Sequence, residues 1–187
     1  MRTVKLTQPD AWRQIPPSGT LRPWLTDCGS LTARLIAHDC QFNLQRLCQH
    51  LVRPHHDERR VLSLRAGELA VVREVILRDG ETPLIFAHTV VKPRDLRGAW
   101  RGLSRLGARP LAEMLFHDPT VSRMPMEYKQ LRAPHNFLSS MQQHLAEEFP
   151  NCWARRSVFL KCGRPLLVTE IFLPTILSLH QSELPAA

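Results

Sequence analysis

Residues 163–174, GRPLLVTEIFLP, form the stretch on which the interpretation of the fold depends. They begin at a glycine turn signal and end at a proline. The large apolar and β-branched residues between them predict a strand buried on both faces. Glu170 lies in the middle of this strand. Because an unpaired carboxylate is costly to bury, Glu170 must contact a cation or a ligand, or one face of the strand must be in water.

Two β-hairpins are the clearest secondary-structure signals in the chain. In the first, residues 68–77 alternate between apolar and polar positions, Asp79-Gly80 forms a turn signal, and residues 84–91 return. In the second, residues 152–160 and 166–173 flank a glycine turn. Strands, then helices, then strands again, with hairpin connections, predict an α+β domain with an antiparallel sheet and helices packed against it.

The other elements are weaker predictions. In chain order they are short helices at 21–24 and 31–36 (the second capped by Ser30), a bulged strand at 40–52, a polar loop at 54–60, helices at 96–106 and 111–115, a strand at 121–131 that Pro125 interrupts or places at an edge, and a helix at 137–149. We expect one domain over residues 20–176. A loosely attached lead-in at 1–19 precedes it and a tail at 177–187 follows.

The first hairpin places a cation in an apolar row. With the two-residue period of a strand, Arg73 shares a face with the apolar residues at 69, 71, 75 and 77. A buried arginine needs a carboxylate or an anionic ligand, and its planar guanidinium suits a carboxylate. An internal salt bridge to Glu170, or extension to the surface, would satisfy it equally well. If odd positions pair with even ones, His88 lies opposite or diagonal to Arg73.

Composition and charge exclude several functional classes. The net charge is +8, but the arginines are scattered and aromatic residues make up only 6%, so a nucleic-acid-binding surface is not expected. A basic enzyme that steers a small anion is compatible with the charge. No apolar run of about 18 residues predicts a membrane span. Residues 1–17 lack the apolar core of a secretory signal, so a cytoplasmic location is expected.

Cysteine and histidine spacing does not predict a metal site. The five cysteines are odd in number and form no CxxC motif, which is typical of reduced thiols in a cytoplasmic protein. The pair His55-His56 with Asp57 could bind a metal, but adjacent residues rarely converge on one ion. A solvated loop is the preferred interpretation of this segment, and no metal is expected.

Arg73 and Glu170 therefore stand out as one cation and one carboxylate, each in an apolar strand row. Such a pair suits a small dry pocket for an anionic, partly apolar ligand. The arginine would hold a carboxylate, and the glutamate would accept a hydrogen bond from a hydroxyl or move a proton. These residues alone predict a small-anion pocket, either in an enzyme or in a sensor.

Several segments resemble the chorismate pyruvate-lyase family, whose members catalyse the first step of bacterial ubiquinone synthesis. In the family's order they are residues 72–77, 89–91, 106–111, 115–116, 153–157 and 163–174, and the resemblance runs from about residue 20 to 174. It implies a single domain with a six-stranded antiparallel sheet, and a site enclosed beneath flaps. It also implies elimination of pyruvate from chorismate to leave 4-hydroxybenzoate, without metal or cofactor.

The resemblance also assigns roles to individual residues. The family's carboxylate-binding arginine falls on Arg73, and the glutamate that faces the ring hydroxyl falls on Glu170, so these two are expected to be catalytic. The substrate-binding set adds Leu31, on an apolar flap, and Leu111, at the start of a short helix. His88 stands where the family has an arginine. A segment at about 129–152 is longer than in the family and is treated as an insert.

The expected partners are chorismate and 4-hydroxybenzoate, with no nucleic acid and no membrane span, and a monomer is expected. The alternative function is sensing, because the same fold serves as the effector-binding half of some bacterial transcription regulators. The chain would then bind an aromatic acid without catalysis. Those regulators carry an N-terminal DNA-binding domain, for which residues 1–30 are too short.

Overall fold

The computed structural model describes residues 11–38, 40–145 and 147–183. The first ten residues of the predicted lead-in and residues 184–187 of the predicted tail lie outside this description. Within the lead-in, the Trp12 indole donates to Asp57 Oδ2 at 2.9 Å. The backbones of Arg13 and Tyr128 also exchange hydrogen bonds of 3.0 and 2.7 Å.

In the described part of the chain, seven strands form one antiparallel sheet. They are β1 (Phe42–Val52), β2 (Ala70–Asp79), β3 (Thr82–Val91), β4 (Val121–Arg123), β5 (Glu127–Arg132), β6 (Asn151–Lys161) and β7 (Arg164–Phe172). Their order is β1-β2-β3-β7-β6-β4, and β5 also pairs with β6. The predicted α+β class and antiparallel sheet are confirmed, with seven strands in place of six. Both hairpins, the bulge in β1 and the interruption near Pro125 are confirmed as well.

Outside the sheet, the described residues form five short α-helices and three 3-10 segments. The helices are α1 (Arg22–Thr26), α2 (Leu31–Ala37), α3 (His56–Val61), α4 (Ala112–Phe116) and α5 (Asn136–Gln142), and the 3-10 segments are Pro93–Arg97, Arg101–Arg105 and Pro174–Glu183. Ser30 Oγ accepts from the Ala33 amide at 3.1 Å, which confirms the predicted cap. None of the described helices is both long and apolar enough to cross a membrane.

Two helix predictions and one loop prediction need correction. The helix predicted at 96–106 is two 3-10 segments, separated at Gly98, whose φ of −125° and ψ of −115° are not helical. The helix predicted at 137–149 ends at Gln142. Helix α3 occupies the predicted polar loop at 54–60. Its Glu58 Oε2 accepts from the His55 amide at 2.8 Å, a local cap that apolar periodicity does not reveal.

The pairing of β2 with β3 decides which side chains share a face of the sheet. A two-residue turn pairs Asp79 with Thr82, and the same register continued would place Arg73 opposite His88. A bulge near the turn shifts the pairing by one residue, so that Arg73 lies opposite Thr89. Because such a shift reverses the face of every later side chain, His88 lies on the side of the sheet away from Arg73. Odd positions therefore pair with odd ones over this part of the hairpin, and the condition under which His88 would lie opposite or diagonal to Arg73 is not met.

Candidate active site

Arg73 and Glu170 line the same cavity, on the face of the sheet that α2 and α4 cover. The cavity volume is about 50 Å³. Leu31, at the first turn of α2, and Leu111, just before α4, also line it. The structure thus places all four residues of the expected substrate-binding set around one cavity.

The strand register explains how the cavity floor is made. Arg73 on β2 and Glu170 on β7 are separated by β3, which puts their backbones roughly 10 Å apart across the sheet. Between them, β3 presents Thr89 opposite Arg73 and Ala87 opposite Glu170. These two side chains are small, so space remains above β3 between the charged groups. The other walls are mostly apolar and include Leu44, Val75, Leu77, Leu115, Phe116, Phe159 and Val168.

The Arg73 side chain is buried, with 1% of its surface exposed. Its Nη2 donates to the carbonyl oxygens of Gly107 at 3.1 Å and Arg109 at 3.0 Å, in the loop before α4. Gly107 has a φ of +60°, a conformation that favours glycine and that allows this tight loop. Among the described residues, no carboxylate pairs with Arg73, and its Nε has no hydrogen-bond partner.

Among the described residues, no negatively charged group pairs with the buried guanidinium of Arg73. Burial, assisted by the charge of Arg46, lowers the pKa of Arg73 to about 10. The group therefore still carries its charge at neutral pH. An anionic ligand in the cavity would supply the missing counter-charge and hydrogen bonds.

Glu170 is paired with a different arginine from the one the sequence offered. Arg155, on the neighbouring strand β6, donates from Nε to Glu170 Oε2 at 2.6 Å. Arg155 is itself buried, and its Nη1 donates to the carbonyl oxygens of Trp24, Leu25 and Asp27. The alternative prediction of a salt bridge between Arg73 and Glu170 is therefore wrong, because Glu170 pairs with Arg155 instead. In the part of the chain that the structure describes, Oε1 of Glu170 receives no hydrogen bond.

A further cation, Arg123, also lines the cavity. Its Nε donates to Ser157 Oγ at 2.9 Å, and its Nη1 donates to the Cys28 carbonyl oxygen at 3.1 Å. Its guanidinium carbon lies 5.2 Å from the centre of the Phe159 ring. Burial lowers the pKa of Arg123. Sequence reasoning missed this residue, because a charged side chain on a short edge strand is usually solvated.

Sequence reasoning could have found Arg155. Within β6, the residues at positions 153, 155, 157 and 159 share a face by period two, and this face continues the row that contains Glu170. Arg155 is thus a third charged residue in a predominantly apolar row. No comparable signal marks Arg123, since β4 has only three residues.

His88 lies on the other face of the sheet, between two carboxylates. Its Nδ1 is 2.9 Å from Glu74 Oε1, and its Nε2 is 3.0 Å from Glu58 Oε1. Burial by itself would lower the pKa of His88, but the two glutamates raise it to about 9. The sheet separates His88 from the cavity that Arg73 and Glu170 line. Arg123 is a second cation in the lining of that cavity.

Comparison with known proteins gives one family and one fold. The chain matches the family model described as "Chorismate lyase" over residues 2–182. It is 45% identical over 175 residues to the "Probable chorismate pyruvate-lyase" of Nitrosomonas eutropha, and the match covers 92% of this chain and 98% of that protein.

Among solved structures, the chain is similar to the C-terminal domain of PhnF, with a TM-score of 0.55 at 12% identity over 74% of this chain and 86% of that chain. It is also similar to a GntR-family transcriptional regulator from Bacillus cereus, with a TM-score of 0.51 at 12% identity over 72% of this chain and 93% of that chain. At such identities the likeness concerns the fold alone.

Proposed function

Because the chain belongs to the chorismate lyase family, we propose that it eliminates pyruvate from chorismate and leaves 4-hydroxybenzoate. The observation that supports this best is the buried guanidinium of Arg73, which has no carboxylate partner among the described residues and faces the same apolar cavity as Glu170. The residues that line this cavity suit a flat, largely apolar acid with a polar group at its far end, and because the volume is only about 50 Å³, the covering segments α2 and α4 would have to move outward to admit it. We propose that this reaction is the first step of ubiquinone synthesis.

Binding follows from the charges of the cavity. Chorismate is a dianion, and Arg73 would hold the carboxylate on its ring through the guanidinium. Glu170, held by Arg155, would face the ring hydroxyl. Arg123 is the remaining cation in the cavity, and we propose that it binds the carboxylate of the enolpyruvyl group. Leu31, Leu111 and the phenylalanines would enclose the ring and exclude water.

The reaction requires little from the protein beyond this arrangement of the substrate. The bond between the ring carbon and the enolpyruvyl oxygen breaks, the ring loses a proton, and the six-membered ring becomes aromatic. The departing enolpyruvate takes up one proton and becomes pyruvate. Aromatisation makes the reaction strongly downhill, so orientation of the substrate and help with proton transfer are sufficient. We propose that no cofactor or metal takes part. Glu170 either accepts the ring proton or only positions the ring.

Direct turnover tests this function. Purified protein incubated with chorismate is expected to form 4-hydroxybenzoate and pyruvate in equal amounts. Chromatography measures the aromatic acid, and a coupled lactate dehydrogenase assay measures the pyruvate. Folded protein that binds 4-hydroxybenzoate tightly but releases no pyruvate would contradict the lyase and support the sensing alternative.

The role of Arg123 is tested by Arg123→Gln, which keeps a hydrogen-bonding side chain but removes the charge. We expect KM for chorismate to rise, with a loss of about 10- to 100-fold in kcat/KM, since a charged hydrogen bond contributes roughly 1.5–3 kcal/mol. Binding of 4-hydroxybenzoate, which lacks the second carboxylate, is expected to change little. Steady-state kinetics and calorimetric titration with the product check both points. Equal losses for chorismate and for the product would contradict this assignment.

A further inference from the structure

A second cleft, of about 380 Å³, lies on the face of the sheet opposite the chorismate cavity. Side chains of the α3 segment, β1, β2, β3 and α5 surround it. Its most buried members are Glu58, with 1% of its surface exposed, and His88, with 3%. The proposed function uses none of these residues.

One side-chain atom of Glu58 and one of His88 lie close together, but their contact lacks the geometry of a hydrogen bond. Nε2 of His88 lies 3.0 Å from Oε1 of Glu58. Neither atom makes a hydrogen bond of acceptable geometry to any residue that the structure describes, and both are buried. When His88 is protonated, its imidazolium is the cation that Glu58 and Glu74 face. When Nε2 carries no proton, Nε2 and Oε1 are two buried lone-pair donors directed at one place, and a metal ion can replace the proton between them.

His55 supplies a third donor atom at the same place. One ligand atom from each of His55, Glu58 and His88 lies within 4.8 Å of the other two. Two ligands of a tetrahedral zinc ion, each bonded at about 2.1 Å, are roughly 3.4 Å apart. The spacing of the three side chains is therefore on the scale of a zinc site.

We propose that His55, Glu58 and His88 bind a divalent transition-metal ion, with Zn²⁺ the best match, and leave one coordination position open to the cleft. Two imidazoles and one carboxylate are a ligand set that zinc takes in proteins. The ion would join the start of α3 to the middle of β3.

Hydrogen bonds from surrounding residues fix the orientation of the proposed metal ligands, as is usual in metal sites. Nδ1 of His88 lies 2.9 Å from Glu74 Oε1, so a carboxylate holds the far nitrogen and directs Nε2 toward Glu58. The Ser140 hydroxyl donates to both oxygens of Glu74 at 3.2 Å. The Cys48 thiol also donates to Glu74, and burial raises the pKa of Cys48 to about 11, so it remains a thiol.

Glu58 and His55 are also fixed in place. The second oxygen of Glu58, Oε2, accepts from the His55 amide at 2.8 Å, which leaves Oε1 directed at His88. Nδ1 of His55 lies 3.2 Å from the Asn136 side-chain amide. If the oxygen and nitrogen of the Asn136 amide are interchanged, Nδ1–H of His55 donates to the amide oxygen, and the other ring nitrogen is left for the ion.

Metal titration of the full chain tests the site. After chelator treatment, the protein is dialysed against Zn²⁺ or Co²⁺, and the bound metal is counted. We expect one equivalent, and for Co²⁺ the strong visible absorption of a tetrahedral site. Glu58→Gln and Glu74→Gln are expected to lower the affinity by about 10- to 100-fold. His55→Ala is expected to lower it at least as much.

Matched controls separate this site from adventitious binding. His144→Ala removes an exposed histidine from the same cleft and is expected to leave affinity and stoichiometry unchanged. Circular dichroism confirms that each variant is folded. Binding that persists in Glu58→Gln and His55→Ala, or that His144→Ala abolishes, would overturn the proposal. So would an NMR signal showing that His88 Nε2 keeps a proton in saturating Zn²⁺.

The site is independent of the proposed reaction. Chelator-treated protein is expected to keep its chorismate turnover, because the sheet lies between the metal ligands and the cavity. A failed turnover assay would count against the lyase alone, and a failed metal titration would count against this site alone.

Discussion

Arg73→Ala is expected to lower kcat/KM for chorismate by about 10³-fold, since removing one partner of a buried, hydrogen-bonded charge pair costs roughly 4 kcal/mol. The physical reason is that Arg73 is buried and has no counter-charge among the described residues, so that the ring carboxylate would be its only ionic partner. Arg73→Lys keeps the charge but loses the planar fork, and we expect an intermediate loss. Steady-state kinetics and titration with 4-hydroxybenzoate measure both effects.

Arg65→Ala provides the control, because Arg65 is exposed and no described carboxylate pairs with its side chain. Its kinetics are expected to match those of the unmodified protein. Arg73→Ala also removes the donors to the carbonyl oxygens of Gly107 and Arg109, so its fold needs to be checked by circular dichroism. A folded Arg73→Ala protein with nearly full kcat/KM would contradict the proposed carboxylate site.

Glu170→Gln is expected to lower kcat by about 10²-fold or more, the range for loss of a positioned acid–base group. Glutamine has nearly the same shape and can still accept the 2.6 Å hydrogen bond from Arg155, so the fold should be retained. If Glu170 accepts the ring proton, kcat falls while KM changes little. If it only positions the ring, KM rises together with the fall in kcat. Steady-state kinetics over a range of chorismate concentrations distinguishes these outcomes.

Glu127→Gln is a matched control for this variant. Glu127 accepts from Arg156 Nε at 2.7 Å, so it too is a glutamate paired with an arginine of β6. Arg156 is next in sequence to Arg155, and its side chain therefore lies on the other face of β6. Glu127→Gln is expected to leave kcat and KM unchanged. Full activity in Glu170→Gln would refute a catalytic role for that carboxylate.

The local sequence pattern was sufficient for the strands and for two charged residues that line the cavity. Period-two alternation and glycine turns are short-range signals, and they predicted the hairpins of β2–β3 and β6–β7. The same alternation placed Arg73 and Glu170 in apolar rows, where a charge is costly unless it is paired. The structure puts both residues around one cavity.

The hydrogen-bond partners of the charged residues could not be predicted in the same way. Glu170 pairs with Arg155 rather than Arg73, because β6 and not β2 is its neighbour in the sheet. Arg123 reaches the cavity because β4 pairs with the end of β6 that carries Phe159. Strand order depends on contacts between distant parts of the chain, and hydrophobic periodicity carries no information about it.

The sequence by itself determined the antiparallel α+β class and the two anomalous charges on which the proposed function depends, since both follow from side-chain periodicity within single strands. The tertiary structure alone decided which face each strand presents. One bulge between β2 and β3 moved His88 from the side of Arg73 to the opposite face, beside Glu58 and Glu74. A register shift of a single residue moves every later side chain of the strand to the other face of the sheet, and this shift depends on how the two strands pack.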